Sequence, residues 1–186
     1  VEPARTITSR ITSPKKTINY MMALFFGLLL PTLYLIIRDF FDDKIRSIND
    51  AEYMLHRSVM SVIYSNNLKS ETVVAEFPKS AISESFRNLR SSLFLKSDHE
   101  KSKVILITSS QPQDGKSFVS LNLSSSIASV GYKTILIDCD LRRPTLHIKL
   151  KEDNSTGLTH FMMKKASAEE IIKNTSITNL DFISAG

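Results

Sequence analysis

The chain is poor in the residues that build covalent or metal-held scaffolds. A single cysteine, Cys139, in 186 residues excludes an internal disulfide and suits a reduced compartment. The four histidines are scattered without metal-ligand spacing, so His147 and His160 read as surface or loop residues. Charge of one sign is also in short supply. The net charge of +5 is modest and is not gathered in one arm, which argues against a nucleic-acid partner. No methionine stands at position 1, so Val1 reads as the start of an excised, processed or partial sequence.

Against that background the stretch Val104 to Ser117, VILITSSQPQDGKS, stands out. Its apolar run Val104, Ile105, Leu106 and Ile107 predicts a strand buried on both faces, as in a parallel sheet. A loop ending in Gly115, Lys116 and Ser117 follows, then Val119, Leu123, Ile127 and Val130 at helical spacing. Strand, GK[ST] loop and helix form the context of a phosphate-binding loop, where backbone N–H groups and the helix N-terminus face an anion. Lys116 is then expected to reach the β- and γ-phosphates, and the Ser117 hydroxyl to hold Mg²⁺. The first glycine of G-x-x-x-x-G-K-[ST] is replaced by Ser110, which leaves Gly115 for unusual dihedrals. The alternative is a chance tripeptide in a loop.

A second site supports the first. Gly131 is a candidate helix C′ residue, and Lys133 to Asp140, KTILIDCD, predicts another buried strand. Strand, helix and strand imply a right-handed βαβ unit with a parallel sheet. Residues two apart on a strand share a side, so Asp138 and Asp140 are expected to converge at its carboxyl end while Cys139 points away. Two carboxylates facing a triphosphate require Mg²⁺ between them. Solvated loop acids, or one acid on a ribose, are the alternative.

Upstream, Val1 to Lys16 reads as an extended connector or a disordered terminus. Thr17 to Ile37 gives 21 residues without a charge between Lys16 and Arg38. At 1.5 Å per residue they span about 31 Å, the hydrocarbon thickness of a bilayer. A transmembrane helix over 17–38 is expected; Pro31 within it is tolerated in a membrane helix with a kink. Basic residues flank both ends, so the positive-inside rule does not orient it. Residues 39–79 are expected to form a juxtamembrane segment, with Asn49 capping a short helix through His56, a short strand at Ser58 to Tyr64, and a polar tether over Ser65 to Lys79. Ser80 to Lys96 predicts an amphipathic helix with Ile82, Phe86, Leu89 and Leu93 on one stripe. Glu84, Arg87 and Arg90 lie on its polar side, where the plain reading is solvated charge with one Glu84 to Arg87 pair.

Three motifs in order, SAISESFRNLR, TSSQPQDGKS and ILIDCDLRRP, resemble the bacterial tyrosine kinases of capsule and exopolysaccharide export, many of which are fused to a chain-length-determinant membrane protein. The resemblance implies an α/β fold, a P-loop NTPase-like parallel sheet preceded by one transmembrane helix, with the N-terminal part of the kinase domain over 80–186. It implies ATP and Mg²⁺ as cofactors, with Gln113, Asp114, Gly115, Lys116, Ser117 and Phe118 around the nucleotide. Ser117, Asp138 and Asp140 are implied at the metal, and Lys116, Asp138 and Asp140 in catalysis. It further implies an inner-membrane location with the C-terminal part cytoplasmic, and a ring of identical subunits packed through Glu84, Arg87 and Arg90. The tyrosine tail of a neighbouring subunit and the polysaccharide export machinery are the other implied partners. Gln113 departs from the glycine common at that position of the family.

Arg142 and Arg143 are expected to meet either phosphates or a neighbouring subunit. Thr156 to Lys165 and Ser167 to Lys173 predict two helices, with Ser167 as an N-cap, and Leu180 to Ile183 a further strand. A kinase of this type also needs a later strand ending in aspartate and a tyrosine-rich tail. Neither occurs up to Gly186, so the polypeptide alone is expected to have little or no kinase activity.

Overall fold

The computed structural model describes residues 15–41, 45, 47–95 and 102–186, so all but the end of the expected N-terminal connector lies outside the described residues. It divides into two compact units, 1–57 and 58–186.

The first unit contains α1 (Lys16–Phe40) and α2 (Ile48–Leu55). The uncharged run forms one continuous helix with Pro31 inside it, and none of its residues is buried. Proline removes one backbone donor; beside it the Thr32 hydroxyl donates to the Leu28 carbonyl at 2.7 Å. By length and composition α1 is able to cross a membrane. The cap of α2 is Ser47 rather than Asn49. The Ser47 hydroxyl accepts from Asp50 N–H, and the Asp50 carboxylate accepts from Ser47 N–H, both at 3.1 Å. The reciprocal pair satisfies two donors at the helix start that an Asn49 cap would leave open.

The second unit is built around α5 (Lys116–Ala128), which is buried continuously from Leu121 to Ala128. Leu121 and Ala128 pack on Leu136, Leu146, Leu150, Leu180 and Phe182, against the sheet. Leu123 and Ile127 pack on Val73, Val74, Ile82 and Phe86, against α3 (Val73–Glu76) and α4 (Ala81–Leu95). A helix buried on opposite sides has no single apolar stripe. Two of its buried polar groups are satisfied within the helix: Ser124 and Ser125 hydroxyls both donate to the Leu121 carbonyl, at 2.9 and 2.7 Å. The helix ends at Ala128 with Ser129 as its C-cap, and Gly131, one position beyond the C′ site expected for it, turns the chain with φ +95° and an N–H bond to the Ala128 carbonyl.

The sheet has three strands in the order β1 (Thr134–Ile137), β3 (Leu180–Ile183), β2 (Ile172–Asn174). β1 and β3 run parallel, with Thr134 opposite Leu180, and β2 is antiparallel to β3. The sheet is therefore mixed rather than wholly parallel. The second predicted helix past Gly157 shortens to α8 (Ala168–Ile171), because the chain turns at Ile172 into β2. Ser167 does precede it, with its N–H donating to the Glu170 carboxylate at 2.8 Å. The first shortens to α7 (Leu158–Met162), and α6 (Leu146–Leu150) lies ahead of it.

Two sequence expectations fail in instructive ways. Val104 to Ile107 has no regular secondary structure and is not a strand of this sheet, and Val104 and Leu106 are 100% and 82% exposed. A run this apolar is stable as a strand only between two layers with a ladder partner, and the three ladder strands here do not include it. Residues 58–79, expected as a short strand and a free tether, are instead part of the compact unit. Ser58 to Tyr64 makes no ladder, although Ile63 packs on the core. Val73 and Val74 are buried, and Glu71 pairs with Lys149 of α6 at 2.5 Å. The polar composition concealed two valines and an anchoring asparagine from a distant helix.

Candidate functional site

The loop from Ser109 to Gly115 enters α5 through Gly115, which has φ +89° and provides no side-chain cap. The first N–H groups of a buried 13-residue helix thus meet no capping side chain, which is the arrangement that favours an anion there. The loop is closed by its own side chains. Asp114 accepts the Gln111 N–H at 3.0 Å, and the Ser109 hydroxyl donates to the Gln111 carbonyl at 2.7 Å. Gln113 holds φ +69°, a left-handed conformation that glycine adopts without steric cost. The Lys116 ammonium reaches back across the loop to Ser109 Oγ at 2.6 Å and the Gln111 carbonyl at 3.0 Å. A bound phosphate would have to compete for those two bonds. Phe118 is half-buried, its ring 5.9 Å from that of Phe86, so its side chain serves packing.

Across from the loop, the expected alternation of Asp138 and Asp140 is broken because β1 ends at Ile137. Asp138 is 4% exposed, and its carboxylate accepts the Asp140 N–H at 3.1 Å and the Leu146 N–H at 3.3 Å. Asp140 is exposed and accepts the Arg143 N–H at 3.0 Å. Cys139 is exposed beside them, as are the Arg142 and Arg143 side chains. The two acids therefore shape the turn from β1 to α6, Asp138 from inside and Asp140 from the surface. Ser117 joins this turn to the phosphate loop, its hydroxyl 3.2 Å from that of Thr145.

Among the described residues no group of three or more His, Cys, Asp or Glu forms a metal cage. One hydroxyl and two carboxylates are nevertheless the hard oxygen donors that suit Mg²⁺, which takes few protein ligands when phosphates supply the rest. The donor set fits a metal-nucleotide rather than a bare metal.

The Glu84, Arg87 and Arg90 triplet is not a uniform solvated face. Arg87 pairs with Glu84 at 2.6 Å and donates to the Pro78 carbonyl at 2.8 Å. Arg90 turns inward, donating to the Ser126 carbonyl at 2.5 Å near the end of α5. Partial burial, then the Arg87 charge, lower the pKa of Arg90. Asn122, which the sequence did not mark, is fully buried: it accepts the Val74 N–H and donates to the Glu71 and Phe118 carbonyls. Only its position amid an apolar helix could have signalled it.

A glycine-entered loop at the head of a buried helix, with a following parallel strand that delivers aspartates to the same end, defines a P-loop NTPase-like α/β domain. Residues 102–186 match the AAA domain family. The chain is 38% identical over 117 residues to a putative tyrosine-protein kinase CapB of Staphylococcus aureus, covering 63% of this chain and 51% of that protein. It is 34% identical over 121 residues to the tyrosine-protein kinase YwqD of Bacillus subtilis, covering 65% of this chain and 51% of that protein. The chain thus spans about half the length of these relatives. In fold it is similar to the chimerical protein CapA2B2, with TM-score 0.68 and 34% identity over 75% of this chain and 60% of that one. The kinase domain of the Escherichia coli tyrosine kinase ETK gives TM-score 0.66 at 25% identity, over 74% of this chain and 58% of that domain. In both sequence and fold, the chain is similar to proteins named as bacterial tyrosine kinases.

Proposed function

We propose that this chain is part of a membrane-anchored protein-tyrosine autokinase that transfers the γ-phosphoryl group of MgATP to tyrosines of a neighbouring subunit, in the control of polysaccharide chain length and export. The observation that carries the reading is the uncapped start of α5 behind Gly115, with Lys116 and Ser117 at its head and the Asp138–Thr145 turn against it. MgATP, when bound, supplies the electrophilic phosphorus and the divalent charge that stabilises the leaving group. Lys116 exchanges its bonds to Ser109 and Gln111 for phosphate oxygens. Ser117 and Asp140 would hold the metal, and Asp138 would orient the attacking hydroxyl through a lone pair that its two backbone bonds leave available. Gln113, Asp114, Gly115 and the Phe118 backbone complete the cradle.

The cytoplasm supplies ATP, so the C-terminal end of α1, from which the chain continues to the phosphate loop, faces inward, at the bacterial inner membrane. Glu84 and Arg87 are offered on the surface of α4 for packing a ring of subunits, while Arg90 supports that helix from behind. The second reading keeps the site and places water where the tyrosine would be, making a membrane-anchored ATPase of the partitioning and positioning class. The third is a non-catalytic chain-length scaffold.

The test is phosphotyrosine formation by the full reading frame in membranes. Wild type should label on tyrosine, and Lys116→Ala and Asp140→Asn should abolish labelling. Phosphate release without phosphotyrosine favours the ATPase; labelling that survives both substitutions contradicts the proposed site.

A further inference from the structure

Ser117 is asked to hold a cation through an oxygen that also carries a proton. A hydroxyl presents a lone pair to a metal only when its hydrogen is directed elsewhere, so the identity of the proton acceptor matters. The described contact of the Ser117 hydroxyl is Thr145 Oγ1, at 3.2 Å across 28 residues of sequence. Thr145 is exposed and Ser117 half-buried, so both hydroxyls lie within reach of a ligand.

Thr145 is also held firmly from its other side. The next residue, Leu146, is 4% exposed in the core and donates its N–H to Asp138 at 3.3 Å. Asp138 in turn accepts the Asp140 N–H, so one buried carboxylate fixes both the candidate metal ligand Asp140 and the backbone that carries Thr145. The path from Asp138 through Leu146 and Thr145 to Ser117 links the two halves of the site.

We infer that Thr145 is a positioning residue for the metal: it accepts the Ser117 hydroxyl proton and so turns a Ser117 lone pair toward Mg²⁺. The inference rests on the metal-nucleotide reading of the loop and adds a residue outside both recognised motifs. The described contact of the Thr145 hydroxyl is Ser117, so its effect falls on metal dependence rather than on nucleotide binding as such.

The experiment titrates the full chain in detergent micelles with a fluorescent ATP analogue, at a series of Mg²⁺ concentrations and in EDTA, for wild type, Thr145→Val and Thr145→Ser. Valine keeps the shape and removes the acceptor; serine keeps the acceptor. Thr145→Val should raise the Mg²⁺ concentration for half-maximal binding about tenfold, the usual scale for losing an outer partner of a metal ligand, and Thr145→Ser should restore it. The EDTA affinity and far-UV circular dichroism should not move. Equal Mg²⁺ dependence in wild type and Thr145→Val overturns the inference while leaving the nucleotide site standing. So does a serine variant as impaired as the valine one, which would mark a packing role. No saturable binding by wild type removes the site and the inference together.

Discussion

Asn122 shows how one polar side chain can hold two distant segments together. Fully buried in α5, it closes the backbone of residues 71–74 onto that helix with bonds of 3.1 Å from Val74 N–H and 2.8 Å to the Glu71 carbonyl. Asn122→Ala leaves a buried donor and a carbonyl without these partners, at about 1–3 kcal/mol for each unsatisfied group. The expected loss is about 2–4 kcal/mol, read as a lower urea midpoint at unchanged slope. A loss below about 0.5 kcal/mol would show that water replaces the amide. This residue was hidden because an asparagine between Leu121 and Leu123 resembles any tolerated polar position until its partners 48 and 51 residues away are known. Gln113 was legible as a departure from glycine, and its positive φ gives the reason glycine suits that position. Lys116 and Ser117 were legible by type and spacing, but the inward bonds of the lysine to its own loop were not.

At the scale of elements, α7 is pinned to the end of β3 by close backbone approach. Leu158 and Thr159 N–H groups donate to the Ser184 and Ala185 carbonyls at 2.8 and 2.9 Å. A Cβ on Gly157 would lie 2.2 Å from the Ser184 oxygen, so no side chain fits without moving one backbone off the other. Gly157→Ala should cost about 2 kcal/mol or more through that overlap. It should also raise amide exchange at Leu158 and Thr159 while leaving α5 protected. Unchanged exchange at those two amides would show that the junction tolerates the shift. Pattern gave α4 and β3 nearly to the residue, α4 through one buried stripe and β3 through a short run that is buried on both faces. It misread Val104–Ile107, whose composition is that of an interior strand although Val104, Ile105 and Leu106 are exposed and Ile107 is only partly buried, since pattern reports what a segment can bury and not what is beside it.

At the scale of the whole molecule, an apolar helix and a nucleotide-type domain occupy one chain as separate compact units. None of the 25 residues of α1 is buried, so water would face the uncharged, largely apolar surface of Thr17–Ile37 unless lipid covers it. The chain should remain with membranes through an alkaline carbonate wash, and deletion of Thr17–Ile37 should release it. Release of the unaltered chain would contradict a spanning helix. Length and lack of charge made this element readable from sequence, whereas the boundary of the folded unit at Ser58 was not, because its anchors at Val73, Val74 and Asn122 act through tertiary contact.

The central claim is that the loop before α5 receives the phosphates of a nucleotide together with Mg²⁺. The measurement that tests it most directly is equilibrium binding of a fluorescent ATP analogue to the full chain in detergent micelles, with wild type and Lys116→Ala compared at saturating Mg²⁺. The account predicts saturable binding that weakens about 10- to 100-fold when the ammonium is removed, the value of one or two charge-assisted hydrogen bonds. Equal affinity in the two proteins would contradict it and leave a scaffold with a vestigial nucleotide fold.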